Sequence, residues 1–149
     1  MLLLATKEML KAALEDQRPY QGDAFSILCM TLSSAMAFCF MEKDKVQGVV
    51  SFGEVNGRLY IYELVTLTPY QKQGVGKKLL LKVAVEAIKK KIGIIELSPL
   101  SSSISFYQKL GFENAGYFII TPRKLMRKIK QSFHLTPVEF SDMLRTYYV

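Results

Sequence analysis

Apolar positions change their spacing near position 68, and this change locates a central strand and the helix that follows it. Between positions 58 and 67 aromatic and aliphatic residues predominate, some of them β-branched, which is typical of a strand. From position 76 to 91 apolar residues recur every three or four positions, which predicts an amphipathic helix. Its buried stripe consists of Leu79, Leu80, Val83, Ala84, Ala87 and Ile88.

The same patterns predict the remaining elements. Asn56-Gly57 indicates a tight hairpin turn, and the run from Thr136 to Glu139 has the form of a capping box with proline at the first helical position. Thr6 and Asp23 are the predicted caps of two early helices. The element order predicts an α/β fold of the α+β type, with one mixed, mostly antiparallel sheet flanked by helices. Besides the central strand and its helix, strands are predicted near 1–4, 35–42, 48–55, 92–97, 116–121 and 124–130, and helices near 7–15, 23–33, 101–110 and 136–147.

The polar loop between the central strand and its helix has the features of an anion site. The first N–H groups of a helix have no acceptors within the helix, and the helix dipole adds partial positive charge there. Gly74 and Gly76 allow the backbone to approach a phosphate closely. Lys72, Lys77 and Lys78 surround the same point. The sequence therefore predicts a phosphate-bearing ligand at this loop.

The spacing within this loop distinguishes between kinds of phosphate site. A Walker loop would need glycine where Gln71 stands, and a dinucleotide fingerprint would need a small residue where Leu79 stands. Residues 71–76 read Gln-x-x-Gly-x-Gly instead. This hexapeptide resembles the acetyl-CoA pyrophosphate loop of the GNAT superfamily of acyl-CoA N-acyltransferases. Taken alone, it also fits an ordinary strand-to-helix turn.

A second block supports the resemblance. Residues 106–112 read Phe-Tyr-Gln-Lys-Leu-Gly-Phe, which resembles the family signature Phe-Tyr-x-x-x-Gly-Phe. The two blocks follow each other in the family's order and spacing, and the resemblance covers roughly residues 1–130. It implies a single N-acetyltransferase domain over residues 1–149, with the final helix, about 136–147, outside the usual family core.

The resemblance also implies the cofactor contacts. Acetyl-CoA would be the co-substrate, without a metal, and the end of the central strand would pair with it through backbone groups. The stretch from Pro69 to Gln71 is one residue shorter than the commoner form of the motif. Leu100 stands where the family often has asparagine, so that side-chain contact is lost unless Ser101, Ser102 or Ser103 replaces it. The expected cofactor-binding residues are Thr66, Leu67, Thr68, Gln71, Lys72, Gln73, Gly74, Val75, Gly76, Lys77 and Ser103.

The implied reaction is direct attack by a primary amine on the thioester within a ternary complex. Tyr107 matches the family tyrosine that protonates the departing thiolate, although a core tyrosine would give the same pattern. A protonated amine is not a nucleophile, so a carboxylate base is expected. Glu63 and Glu96 are the candidates, and either could instead be a solvated strand carboxylate. A ping-pong route through Cys29 or Cys39 is disfavoured, because both lie in apolar stretches.

Composition limits the other classes of function. The 149 residues are 50% hydrophobic, which is enough for one well-packed domain. Two cysteines and one histidine make a disulfide scaffold or a structural zinc site improbable. The sequence shows neither a signal peptide nor a convincing membrane span, so a cytoplasmic location is expected.

Charge is distributed unevenly along the chain. The net charge is +7; residues 1–60 hold 6 Lys/Arg and 7 Asp/Glu (−1), whereas residues 61–149 hold 14 and 6 (+8). The positive half therefore favours an anionic ligand. Nucleic acid ranks low among the partners, because the sequence shows neither a helix-turn-helix nor an aromatic platform for single strands. The basic segment 123–130 also fits a last strand with a solvated outer face.

The sequence leaves three questions undecided: whether the protein is catalytic, what the acceptor is, and where the final helix packs. A non-catalytic acyl-CoA-binding or protein-interaction module would have the same pattern as the enzyme. The acceptor amine could belong to a small molecule, a peptide or a protein. The final helix is expected to pack on the domain or on a second copy in a homodimer, through the stripe Phe140, Met143, Leu144 and Tyr147.

Overall fold

The computed structural model describes residues 2–4, 6, 8–9 and 36–148. The predicted helix 23–33, with its cap Asp23, and Cys29 lie outside the described residues, as does most of the predicted helix 7–15. The predicted cap at Thr6 is confirmed, because the Met9 N–H donates to Thr6 Oγ1 over 3.1 Å.

Within the described residues, seven strands form one open sheet in the order β1-β2-β3-β4-β5-β7-β6. Strand β4 pairs in parallel with β5, while β1 with β2, β2 with β3, β5 with β7 and β6 with β7 are antiparallel. The mixed, mostly antiparallel sheet predicted from the sequence is therefore confirmed. The strands are β1 (Leu2–Leu4), β2 (Met36–Glu42), β3 (Lys45–Val55), β4 (Arg58–Thr66), β5 (Ile95–Leu97), β6 (Glu113–Asn114) and β7 (Phe118–Ile120).

Two tight turns connect the successive strands β2, β3 and β4. Asn56 and Gly57 have φ values of 51° and 76°, and Lys43 and Asp44 have values of 53° and 61°. Two consecutive positive φ angles are the signature of the hairpin turn that matches the right-handed twist of its strands. The hairpin predicted from Asn56-Gly57 is thus confirmed.

The described part of the chain holds four α-helices of six residues or more: α1 (Val75–Lys89), α2 (Ile104–Lys109), α3 (Pro122–Ser132) and α4 (Pro137–Tyr148). Short 3₁₀ helices at Thr68–Tyr70 and Ser101–Ser103 precede α1 and α2. The helices predicted at 76–91, 101–110 and 136–147 are therefore confirmed within one or two residues at each end, apart from the first turn of α2, which is 3₁₀.

The strand predicted at 124–130 is wrong, because these residues belong to α3. Thr121 caps this helix, accepting at Oγ1 from the Lys124 N–H, and Pro122 occupies its first turn. Leu125 and Ile129, four residues apart, are both fully buried. The C-terminal hairpin is formed earlier in the chain by β6 and β7, and the sequence did not predict β6.

Helix α4 begins with the predicted capping box. The Glu139 N–H donates to Thr136 Oγ1 and the Thr136 N–H donates to Glu139 Oε1, both over 3.2 Å. Phe140 is buried within the chain, as the predicted packing of this helix requires. At the other end the buried aromatic is Tyr148, while the side chain of Tyr147 lies outside the described residues.

Contacts divide the chain into two compact units, and the prediction of a single domain remains a prediction. Unit 1 comprises Met1–Gly53 and Tyr62–Leu79, and unit 2 comprises Glu54–Ile61 and Leu80–Val149. Ile95, Leu125 and Ile129 are fully buried in unit 2. A core cluster in unit 1 consists of Ala37, Cys39, Val46, Val49, Val65 and Leu67, with Met9, Met41 and Tyr70 packed against it.

Candidate active site

The loop between β4 and α1 lies in unit 1 and contains two residues in the left-handed conformation before the helix starts. Lys72 and Gly74 have φ values of 63° and 83°, in the left-handed region. The Lys78 N–H donates to the Gly74 C=O over 3.1 Å, so the N–H groups of Val75 and Gly76 precede the first intrahelical bond. The first N–H groups of a helix point toward its N-terminal end, so those of α1 are directed to the end at which this loop lies.

Two glutamine side chains fix the loop to the end of β4. Gln71 Nε2 donates to the Thr66 C=O over 3.3 Å, and Gln73 Nε2 donates to the Pro69 C=O over 3.2 Å. Gln71, the first residue of the hexapeptide, therefore has a structural role, because its side-chain amide holds the loop against the end of β4. The sequence pattern had indicated the residue but not this contact.

Gly48 of β3 allows α1 to approach the sheet closely. A Cβ at this position would lie 2.7 Å from Val75 Cγ1, 2.9 Å from the Val65 carbonyl oxygen and 3.0 Å from Leu79 Cδ1. Contacts this short do not occur between real atoms, so any side chain here would displace the start of α1. Sequence reasoning missed this residue, although an isolated glycine within a strand signals a bulge or a close backbone approach.

The residues predicted to contact the cofactor at the end of β4 already make backbone hydrogen bonds within the protein. The Leu67 N–H donates to the Gln47 C=O over 2.9 Å, and the Leu67 C=O accepts from the Tyr70 N–H over 2.9 Å. Both backbone groups of Leu67 are therefore engaged, and its side chain is fully buried. Successive peptide groups of a strand face opposite edges, so those of Thr66 face away from β3. The Thr66 C=O accepts from Gln71 Nε2 and the Thr68 C=O from the Gln71 N–H, both over 3.3 Å. The backbone contacts of Thr66, Leu67 and Thr68 with the cofactor therefore stay predictions.

Strand β4 extends beyond its parallel neighbour. The register pairs Leu59 with Ile95 and ends at Ile61 with Leu97, the last residue of β5. Strand β4 continues to Thr66. An edge that continues past its partner strand is the arrangement that accepts an added extended segment through backbone hydrogen bonds.

One buried polar atom at this end of the strand has no partner. Thr68 Oγ1 is shielded from solvent and makes no hydrogen bond among the described residues. Buried hydroxyl groups are almost always hydrogen-bonded, because an unpaired one costs free energy. The atom therefore marks a position where a ligand's polar group would be stabilised. The sequence indicated Thr68 for its backbone, not for its hydroxyl group.

The lysines of the loop differ in their surroundings. Lys72 is exposed, and Lys77 is half-buried in the first turn of α1. Lys78 Nζ lies 4.9 Å from the ring centroid of Phe40, a cation–π contact that holds this ammonium group against unit 1. All three remain positive charges on or next to the start of α1, as the sequence predicted.

Tyr107 lies in unit 2 within a helix end that explains its motif. The Phe112 N–H donates to the Tyr107 C=O over 3.1 Å, and the Gly111 N–H donates to the Gln108 C=O over 3.0 Å. With Gly111 at φ 90°, this is a Schellman motif, and the Tyr107 and Phe112 rings meet at 5.3 Å as its hydrophobic contact. The tyrosine ring is 7% exposed and also packs edge-on against Phe106. The ring therefore has a core role, and the acid role of its hydroxyl group stays a prediction.

The two candidate bases have different environments. Glu96 of β5 accepts from Arg58 over 3.0 Å in an ion pair, and its side chain is 13% exposed. Glu63 of β4 is half-buried, and its side chain has no hydrogen bond or ion pair among the described residues. Glu96 therefore has a cationic partner and Glu63 has none among the described residues, and the role of either carboxylate as the base stays a prediction. Ser103 is half-buried at the start of α2, where its N–H donates to the Leu100 C=O.

A cysteine nucleophile has no support in the described residues. Cys39 is fully buried, and burial raises the pKa of its thiol to about 12. A thiol that stays protonated and shielded does not attack a thioester, because the reactive species is the thiolate.

Comparison with known proteins identifies the family. The model of the acetyltransferase (GNAT) family matches residues 5–112. This chain belongs to that family. As a GNAT-type N-acetyltransferase it uses an acyl-CoA as co-substrate. The match ends at the Schellman motif of α2, so α3 and α4 lie outside the matched residues.

Solved GNAT structures share the fold at low sequence identity. The ribosomal-protein-S18-alanine N-acetyltransferase from Escherichia coli is 16% identical with a TM-score of 0.63, covering 80% of this chain and 90% of that one. The PaiA N-acetyltransferase from Thermoplasma acidophilum, in complex with coenzyme A, is 18% identical with a TM-score of 0.61, covering 80% and 95%. A GNAT family N-acetyltransferase from Escherichia coli, in complex with CoA, is 14% identical with a TM-score of 0.64, covering 84% and 83%.

No curated protein matches the sequence. Among the described helices of this GNAT chain, none combines the length and apolar character needed to cross a membrane.

Proposed function

We propose that this protein transfers the acetyl group of acetyl-CoA to a primary amine of an acceptor, by direct attack within a ternary complex, and that residues 1–149 form one acetyltransferase domain. The observation that carries the proposal is the loop of unit 1, where Gly74 at φ 83° leads into the first turn of α1. Unpaired N–H groups and nearby lysines stabilise a pyrophosphate at such a point. Acetyl-CoA supplies an acetyl group activated as a thioester.

The end of β4 would hold the pantetheine arm. The peptide groups of Thr66 face the edge of the strand that continues past β5, and the Thr68 hydroxyl group offers a buried hydrogen-bond partner. Several hydrogen bonds along an extended segment orient the thioester relative to the acceptor, which lowers the entropic part of the barrier. Residues 71–77 would bind the phosphates, and Ser103 would replace the asparagine contact of the family.

The proton transfers would involve one carboxylate and one phenol. Glu63 is proposed as the base that deprotonates the amine, since it has no ionic partner among the described residues; Glu96, ion-paired to Arg58, is the second candidate. Tyr107 is proposed as the acid that protonates the departing thiolate. A phenol has a reference pKa of about 10 and a thiol one of about 8.5, so the transfer is feasible with a modest gain in rate.

The test compares two glycine substitutions with equal backbone strain. Gly74→Glu places a carboxylate at the phosphate loop, while Gly57→Glu places one at the β3–β4 turn, where φ is 76° and nothing lies within 4 Å. We expect calorimetry to show acetyl-CoA affinity reduced about tenfold or more in Gly74→Glu only, the equivalent of about 1.4 kcal/mol. Equal affinity in folded Gly74→Glu and wild type would refute the site.

Turnover is tested separately. Acetyl-CoA consumption is followed against a panel of small amines, peptides and aminoglycosides. Consumption with a particular amine supports the enzyme and identifies the acceptor class. Tight acetyl-CoA binding without turnover on any member of the panel would favour the non-catalytic acyl-CoA-binding alternative.

A further inference from the structure

Helix α3 carries charge of one sign on one side only. Between residues 122 and 132 the chain has five basic residues and no acidic one. Successive residues of an α-helix are separated by about 100°, so the five basic residues fall within an arc of roughly 160°. The opposite arc contains Leu125 and Ile129, both fully buried. The basic residues are Arg123, Lys124, Arg127, Lys128 and Lys130.

Few acidic groups offset this charge. Lys124 Nζ lies 3.3 Å from Glu113 Oε1, and Lys130 Nζ lies 5.9 Å from the ring centroid of Phe140. Arg123 and Arg127 are exposed and have no ion pair within the described residues. From residue 101 to 149 the chain holds seven Lys/Arg and three Asp/Glu, a net charge of +4.

This arrangement is unfavourable for the helix itself. Like charges four residues apart, as in Arg123 with Arg127 and Lys124 with Lys128, each destabilise a helix by about 0.2–0.5 kcal/mol. Basic groups in the first turn also oppose the helix dipole. The ion pair of Lys124 with Glu113 compensates only one of these charges. Places where a sequence breaks local rules are often functional sites.

We propose that the basic face of α3, defined as Arg123, Lys124, Arg127 and Lys128, binds the phosphate backbone of a nucleic-acid duplex. Eleven helical residues span about 16 Å, and duplex DNA carries about one phosphate charge per 1.7 Å of axis, so about ten phosphates lie along this length. Guanidinium groups bind phosphate oxygens in a bidentate manner. This site is independent of the proposed acetyl transfer.

Two other anionic partners, a membrane surface and an acidic peptide, fit the structure less well than a nucleic-acid duplex. An anionic membrane would attract a basic amphipathic helix mainly by accepting its apolar face, but Leu125 and Ile129 are already buried in the protein. An acidic peptide would offer carboxylates without the regular, dense charge of a duplex. The strand once expected at 124–130 is a helix, so the basic residues lie on one helical face and not on the solvated face of a strand.

The test measures binding and its salt dependence. Fluorescence anisotropy follows a labelled DNA duplex, and in a second arm an RNA duplex, each of about 20 base pairs, between about 50 and 200 mM salt. Four phosphate contacts predict a slope of about −3 to −4 for log affinity against log salt. In Arg123→Gln/Arg127→Gln we expect affinity about tenfold weaker at low salt and the slope reduced in magnitude by about 2.

A matched control separates the basic face from net charge. Lys43→Gln/Lys90→Gln removes the same two charges at exposed positions outside α3 and should bind like wild type. Arg123→Lys/Arg127→Lys keeps the charge and should keep the salt slope. Circular dichroism checks that each variant is folded, and acetyl-CoA affinity should be the same in all of them.

Four results would overturn the proposal. The first is that wild type does not bind either duplex at low salt, and the second is that the two glutamine double variants lose equal amounts of duplex affinity. The third is that polyglutamate binds as tightly as the duplex. The fourth is that wild type binds vesicles of phosphatidylserine more tightly than either duplex. Preference for one of the two duplexes would support it and identify the kind of nucleic acid.

Discussion

Gly48→Ala tests how closely α1 approaches the sheet at the proposed cofactor loop. The added methyl carbon would lie 2.7 Å from Val75 Cγ1 and 2.9 Å from the Val65 carbonyl oxygen. Carbon atoms in contact are normally about 3.5–4.0 Å apart. Val75 is β-branched and stiff at χ1, and a backbone oxygen cannot rotate away, so the start of α1 must move by roughly 1 Å.

Two effects follow from this displacement. Overpacking of a core costs about 1–3 kcal/mol, and in a chain of this size each kcal/mol lowers the melting temperature by about 2–4 °C. We therefore expect a melting temperature lower by roughly 2–12 °C. Because Val75 lies between Gly74 and Gly76, the N–H groups of the first turn also move, so acetyl-CoA affinity should fall.

The assay pairs thermal unfolding, followed by circular dichroism, with calorimetry of acetyl-CoA binding. Gly93→Ala is the control, since a Cβ at position 93 would meet nothing within 4 Å and φ there is not in the left-handed region. The packing argument is refuted if Gly48→Ala melts and binds like Gly93→Ala. A lower melting temperature with unchanged acetyl-CoA affinity would support the packing argument but show that this packing does not affect cofactor binding.

Three further predictions concern single groups. Tyr107→Phe should lower kcat by about 10²-fold and leave acetyl-CoA affinity unchanged, with the deficit shrinking at high pH; wild-type turnover would show that the proton comes from elsewhere. Thr68→Val should weaken acetyl-CoA binding about fivefold, the equivalent of about 1 kcal/mol, and leave the urea midpoint unchanged or raised; equal affinity would exclude a contact by the hydroxyl group. For Glu86, burial acts to raise the pKa, but the hydrogen bond from Lys82 and the charges of Lys82, Lys89 and Lys90 outweigh it and lower the pKa below its ordinary value. A lowered carboxyl pKa contributes stability that is present above the unfolded pKa of about 4.3 and is lost as pH falls through the folded pKa. Glu86→Gln should therefore reduce the urea midpoint more at pH 7 than at acidic pH. Equal reductions at the two pH values would contradict the ion pair.

Elements specified by local chemistry could be predicted from the sequence alone. The turn at Asn56-Gly57 needs two positive φ angles, which these residues adopt readily. The capping box at Thr136 needs only the four residues it contains. The hexapeptide from Gln71 to Gly76 predicted the turn before α1 for the same reason, since a helix N-terminus after a glycine turn is a local structure.

Other features were decided by neighbours far apart in the sequence. Leu125 and Ile129 fit one face of a strand as well as one stripe of a helix, and the cap at Thr121, with burial of both residues, selects the helix. The space available at Gly48 depends on Val75, and the backbone hydrogen bond of Leu67 depends on Gln47, so neither could be inferred from a single segment. Turns and caps satisfy their hydrogen bonds within a few residues, whereas close packing and strand pairing are fixed only when distant segments meet.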